Sequence, residues 1–134
     1  MERIFLRIAT GEIPCFKVAE DENHLAFLDI NPLAIGHTLV IPKKETDYLF
    51  DLDTGSYVEL MKFTRRVALA IRSEVDCIRI GVVVYGLDVP HAHIHLIPLH
   101  GNNDIDFKKP KVKLSEEEFK NIAKNIRENF GSGD

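Results

Sequence analysis

Tryptophan is absent and cysteine nearly so, with only Cys15 and Cys77 in 134 residues. Two thiols so far apart form neither a disulfide framework nor a clustered metal pair, and they read as reduced, packed side chains. No apolar run approaches the roughly 20 residues that a membrane crossing needs. The opening Met1-Glu2-Arg3-Ile4-Phe5-Leu6 lacks the apolar core and small-residue cleavage site of a signal peptide. A cytoplasmic protein with no membrane partner is therefore expected. Charge of one sign is also scarce, since 17 Lys and Arg stand against 21 Asp and Glu, a net −4. That balance excludes broad binding to a nucleic-acid backbone, although a single nucleotide needs only one local polar site. No internal repeat is visible.

The apolar share, 45%, is ordinary and supports one domain over residues 1–134 with a real core. Ile4 to Thr10 reads as a short helix closed by Gly11, with Pro14 barring its continuation. Lys17–Glu20 and Leu25–Asp29 read as a hairpin around Asp21-Glu22-Asn23, and His37–Pro42 as a third strand. Between Asp53 and Val75 the apolar residues Leu60, Thr64, Val67 and Ile71 recur at helical spacing, with Asp53 or Thr54 as cap. Ile78–Tyr85, β-branched and apolar, reads as a central strand. His91–Leu99 reads as its antiparallel neighbour, because the link between them is too short for a crossover. Lys108-Lys109-Pro110-Lys111-Val112-Lys113 has no core pattern and reads as a solvated surface segment. Ser115-Glu116-Glu117-Glu118 opens a C-terminal helix with the stripe Phe119, Ile122, Ala123, Ile126 and Phe130, before a frayed tail Gly131–Asp134. The fold class is α+β: a mostly antiparallel sheet of about five strands packed by the central helix, with a short helix at one end of the chain and another at the other.

The chemistry lies in His91-Ala92-His93-Ile94-His95-Leu96. Period two puts His91, His93 and His95 on one face of a strand and Ala92, Ile94 and Leu96 on the core face. His37 adds a fourth imidazole from another strand. One use of such a row is a metal site, but the first and third rings on a straight strand stand more than about 12 Å apart. A second use is nucleophilic attack at phosphorus by a neutral imidazole, the neighbouring rings donating to phosphate oxygens or fixing the tautomer of the attacker. A histidine-rich surface strand is the third reading, and strict alternation with an apolar opposite face counts against it.

His91 to Pro98 resembles the His-x-His-x-His signature of the histidine-triad family. Gly11–Pro14, Ala26–Pro32 and Gly36–Lys44 resemble its N-terminal half in the expected order. The likeness covers about residues 3–100, leaving 101–130 as an extension. It is nearest to the small nucleoside phosphoramidases and dinucleoside polyphosphate hydrolases, and a third His, where the nucleotidyl-transferase branch has Gln, implies transfer to water. The resemblance implies His93 as nucleophile on the α-phosphate of a purine nucleotide and His95 on the phosphate and leaving group. His91 and His37 would support them, and Asp29 would hold the ribose hydroxyls. Ile4, Phe5, Ile8, Phe27, Ile30 and Leu39 would line the base pocket. It also implies a homodimer across the central helix and the strand Ile78–Tyr85, and no cofactor.

Two departures from the family pattern stand out. Where some bacterial members bind a structural zinc, this chain has Arg3, Leu6 and Glu45, so no zinc is expected. Where the family has an Asn, a glycine-rich loop and a Gln-Ser or Gln-Thr, this chain has Val84–Pro90, with Asp88 in the place of the hydroxyl residue. Asp88 could serve as general acid, orient His93 or His95, or turn to solvent. The missing loop also leaves open a nucleotide-binding protein with vestigial catalysis.

Overall fold

The computed structural model describes residues 3–131; Met1 and Glu2 of the opening and Ser132–Asp134 of the expected tail lie outside it. Helix α1 spans Ile4–Ala9, with Thr10 as its C-cap and Gly11 in the left-handed region. Strands β1 (Lys17–Glu20), β2 (His24–Leu28) and β3 (Thr38–Pro42) follow, then α2 (Thr54–Glu74), β4 (Arg79–Val83), β5 (Ile94–Leu99) and α3 (Glu116–Glu128). One five-stranded sheet results, in the order β1-β2-β3-β5-β4, with every neighbour antiparallel. Asp53 caps α2 by accepting from the Ser56 amide, and Ser115 and Glu118 close a capping box on α3.

Strands β2, β3 and β5 are buried on both faces of the sheet. Ala26, Leu28, Val40, Ile94 and Leu96 face the main core under α2 and α3, where Leu60, Phe63, Val67 and Ile71 fill the space. Leu25, Phe27, Leu39 and Ile41 face the other way, where α1 lays Phe5 against them. Helix α3 packs on its own chain, with Phe119 stacked on Phe16 and Phe130 against Phe63.

The sequence reading is corrected at two points. Ile78–Tyr85 does not supply a central strand: β4 is the edge of the sheet, and Ile78 and Val82 remain 67% and 56% exposed. Its β-branched apolar composition reflects a face that its own chain leaves uncovered. The strand drawn from His91 begins only at Ile94, because the backbone before it is engaged elsewhere: the His91 amide donates to Val89 O and the Ala92 amide to Thr46 O.

Gly36 sets the entrance to β3. Its φ is +94°, and a Cβ there would come within 2.9 Å of Val75 Cγ2. Only glycine meets both demands without strain. The next residue is His37.

Candidate functional site

The second face of the sheet opens into a cleft of about 430 Å³. Its apolar end is made by Ile4, Phe5 and Ile8 of α1 with Phe27 and Leu39 of the sheet; Ile30 lies at the exposed rim. Asp29 lines the same cleft as the imidazoles of His93 and His95, and Phe5 meets the His93 ring edge-on at 5.0 Å. The structure thus brings every apolar residue expected around a base to one cleft. His91 and His37 lie behind the cleft, both almost wholly buried.

The wiring of the rings follows from their partners. The His37 ring accepts the Leu33 amide at Nδ1, 3.0 Å away. A neutral imidazole carries one proton, so Nε2 of His37 holds it and donates to His95 Nδ1 at 3.0 Å. His95 then keeps its own proton on Nε2, a buried atom with no protein partner. The ring of His93 is set the opposite way. Its Nδ1 lies 2.7 Å from the His91 carbonyl, which can only accept, so the proton is on Nδ1 and Nε2 keeps a lone pair. His91 in turn donates from Nε2 to Pro42 O at 2.7 Å. Two adjacent rings, 5.2 Å apart, therefore offer a lone pair and an N–H donor side by side.

Burial favours the neutral form of His37, His91 and His95. Desolvation pushes His37 down to about 3, with the charges of His95 and Lys111 adding to it, and His95 down to about 4, with His93 adding. Burial likewise lowers His91, and the Pro42 carbonyl and Glu45 work against it. Asp29 is pushed up by burial, opposed by the Asn31 amide at 2.8 Å and by the charges of His93 and Lys111.

Asp29, His37 and His95 each place one ligand atom within 4.8 Å of the other two. That spacing fits a cation, but the protonation does not. The Leu33 amide occupies one nitrogen of His37, and the proton on the other is shared with His95. A metal on Nε2 would need an imidazolate or the loss of the Leu33 bond. Arg3 and Glu45, two of the positions read as unable to bind zinc, are joined by two hydrogen bonds of 2.7 and 2.6 Å, which fasten α1 to the turn after β3.

Asp88 sits at the mouth of the cleft, exposed. Among the described residues the Tyr85 hydroxyl donates to its Oδ2 at 3.5 Å, and no hydrogen bond or ion pair ties it to a histidine. The same mouth holds three residues that the sequence did not single out. Tyr85 lies parallel to His95, 5.9 Å between centroids, and Phe107 meets His95 edge-on at 5.0 Å. Lys111 also lines the cleft. Part of the basic segment is thus half-buried against the site, while Lys108, Lys109 and Lys113 stay exposed. An aromatic followed by a lysine after β5 gave no periodic signal by which to find it.

Residues 10–102 match the model of the HIT domain. An uncharacterized HIT-like protein of Borreliella burgdorferi is 37% identical over 95% of this chain and 97% of its own length. An adenosine 5'-monophosphoramidase of Schizosaccharomyces pombe is 34% identical over 94% of this chain and 96% of its own. Among solved structures, a Hit-like protein involved in cell-cycle regulation from Bartonella henselae superimposes with a TM-score of 0.82 at 33% identity, covering 94% of each chain. Fold, triad and relatives agree that this chain belongs to the HIT domain family, the histidine-triad proteins.

Proposed function

We propose that this protein hydrolyses a purine nucleotide at its α-phosphate through a covalent intermediate on His93. The observation that carries the reading is the opposed protonation of two neighbouring rings, a lone pair on His93 Nε2 beside an N–H on His95 Nε2. A phosphoryl centre needs both, a nucleophile and a donor to its oxygens. The apolar wall of Phe5, Phe27 and Leu39 suits a purine base, and the Asp29 carboxylate suits two ribose hydroxyls. The kinship with an adenosine 5'-monophosphoramidase supports the same class of substrate.

In this reading His93 Nε2 attacks the α-phosphorus, forming an N–P bond as the bond to the leaving group breaks. The leaving group departs with that electron pair and takes a proton from solvent. The His91 carbonyl, receiving the Nδ1 proton of His93, stabilises the positive charge that the ring then carries. His95 Nε2–H donates to a phosphate oxygen. Water next attacks phosphorus and gives up a proton to solvent, the N–P electrons return to His93, and the nucleoside monophosphate leaves. No step requires a metal.

Two copies pair in this reading through the open edge of β4, extending both sheets, with α2 alongside. The exposed Ile78, Val82 and Leu69 support it.

Intact-protein mass spectrometry after brief exposure to adenosine 5'-phosphoramidate tests the mechanism. A transient nucleotidyl adduct with turnover, both lost in His93→Ala, is expected. Tight nucleotide binding with neither adduct nor turnover would replace the enzyme by a nucleotide-binding protein, which the exposed Asp88 and the missing loop would then explain.

A further inference from the structure

The base, ribose and α-phosphate account for most of the cleft but leave the mouth unassigned, and there the chain after β5 folds back. The Val112 amide donates to Pro32 O at 2.9 Å, and Phe107 packs on Tyr85 and His95. Between these anchors the Lys111 ammonium donates to Phe107 O at 2.6 Å and Lys109 O at 2.9 Å. An ammonium has three N–H groups. Two are held by backbone carbonyls, which fix the cation, and the third remains for a ligand. Lys111 is the one Lys or Arg among the described residues that line this cleft. Phe107, whose carbonyl holds the ammonium, packs on His95 and Tyr85, so Lys111 belongs to the polar half of the cleft.

Asp29 and Asp88 put two carboxylates on the same cleft. A leaving group that carries phosphate would meet them as like charges unless a cation intervened. A neutral amine has no such need. We infer that Lys111 is the specificity-determining residue for the leaving group, binding a phosphate attached to the α-phosphate and so favouring phosphoanhydrides over phosphoramidates of neutral amines. This rests on the function proposed above. The phosphate could be terminal, as in a nucleoside diphosphate, or bridge to a second nucleoside.

The test compares the full chain with Lys111→Met and Lys111→Arg on ADP, diadenosine tetraphosphate and adenosine 5'-phosphoromorpholidate. Lys111→Met should lower kcat/KM for at least one anhydride about tenfold more than for the morpholidate, the size of one lost charge-assisted hydrogen bond. Lys111→Arg should restore most of that ratio. Loss on both anhydrides would identify the phosphate alone as what is read, and loss on the dinucleotide alone a bridged one. Equal losses on all three substrates, or none, would overturn the inference. Calorimetric titration with AMP and ADP separates the two claims. If wild type turns over nothing, the catalytic reading fails, yet Lys111 still stands if the Met variant weakens ADP about tenfold more than AMP, and falls if it does not.

Discussion

His37 touches no cleft surface, yet its replacement should damage catalysis more than stability. His37→Phe keeps a ring in the space but removes both nitrogens. The Leu33 amide loses its acceptor, and His95 Nδ1 loses its donor. An orphaned buried amide costs about 1–3 kcal/mol. The larger effect is on His95, whose single proton is then free to sit on Nδ1, leaving a lone pair where a phosphate oxygen needs a donor. Loss of one preorganised donor at developing charge lowers kcat about 10²–10³-fold. His37→Gln puts an amide N–H near the position of Nε2, so it should recover on the order of tenfold over Phe, one hydrogen bond. Turnover of adenosine 5'-phosphoramidate measures this directly. Nitrogen-15 NMR of the ring nitrogens gives an independent reading: wild type should show His95 protonated at Nε2 and His93 at Nδ1. Turnover by His37→Phe within about threefold of wild type, or a wild-type His95 that carries its proton on Nδ1, would refute this.

Acid should weaken the fold. His37 is held down to about 3 and His95 to about 4, from 6.5, so below pH 6.5 the unfolded chain binds protons that the native rings refuse. Stability should fall from pH 6.5 toward about 3 and fall less in His37→Phe; an equal fall with pH in urea titrations of the two proteins would contradict this. Gly36→Ala should cost about 1–3 kcal/mol, from the positive φ and the contact with Val75, and an unchanged melting temperature would disprove it. Val82→Glu on the β4 edge should shift a sedimenting dimer to monomer, whereas a monomeric wild type would remove the dimer from the proposal.

Elements with strong period were legible from sequence: α2, α3 with its capping box, and the hairpin of β1 and β2. So was the alternation of His91, His93 and His95 against Ala92, Ile94 and Leu96, which the fold keeps even where the strand does not yet run. The place of β4 was not legible, because apolar β-branched residues describe a strand without saying whether it lies inside the sheet or at its edge. Nor was the place of Phe107 and Lys111 at the cleft. They lie outside any helix or strand, and long-range anchoring of the segment at Pro32 brings them to the cleft.

The opposed tautomers show most plainly what the residue pattern lacks. His93 and His95 are two residues apart and chemically alike, yet each takes its protonation from a different kind of partner. His93 stands before β5 begins, where the His91 carbonyl belongs to no ladder and is free to accept its Nδ1 proton. His95 stands inside the ladder, paired with Leu39 on one side and Val83 on the other. Its Nδ1 meets a side chain instead, His37, whose own proton has been fixed by the Leu33 amide. The late start of β5, three residues after His91, is therefore what sets the two rings in opposite tautomers. Were the ladder to run from His91, that carbonyl would be open to pairing with a neighbouring strand, and the lone pair on His93 Nε2 would lose the contact that holds it there.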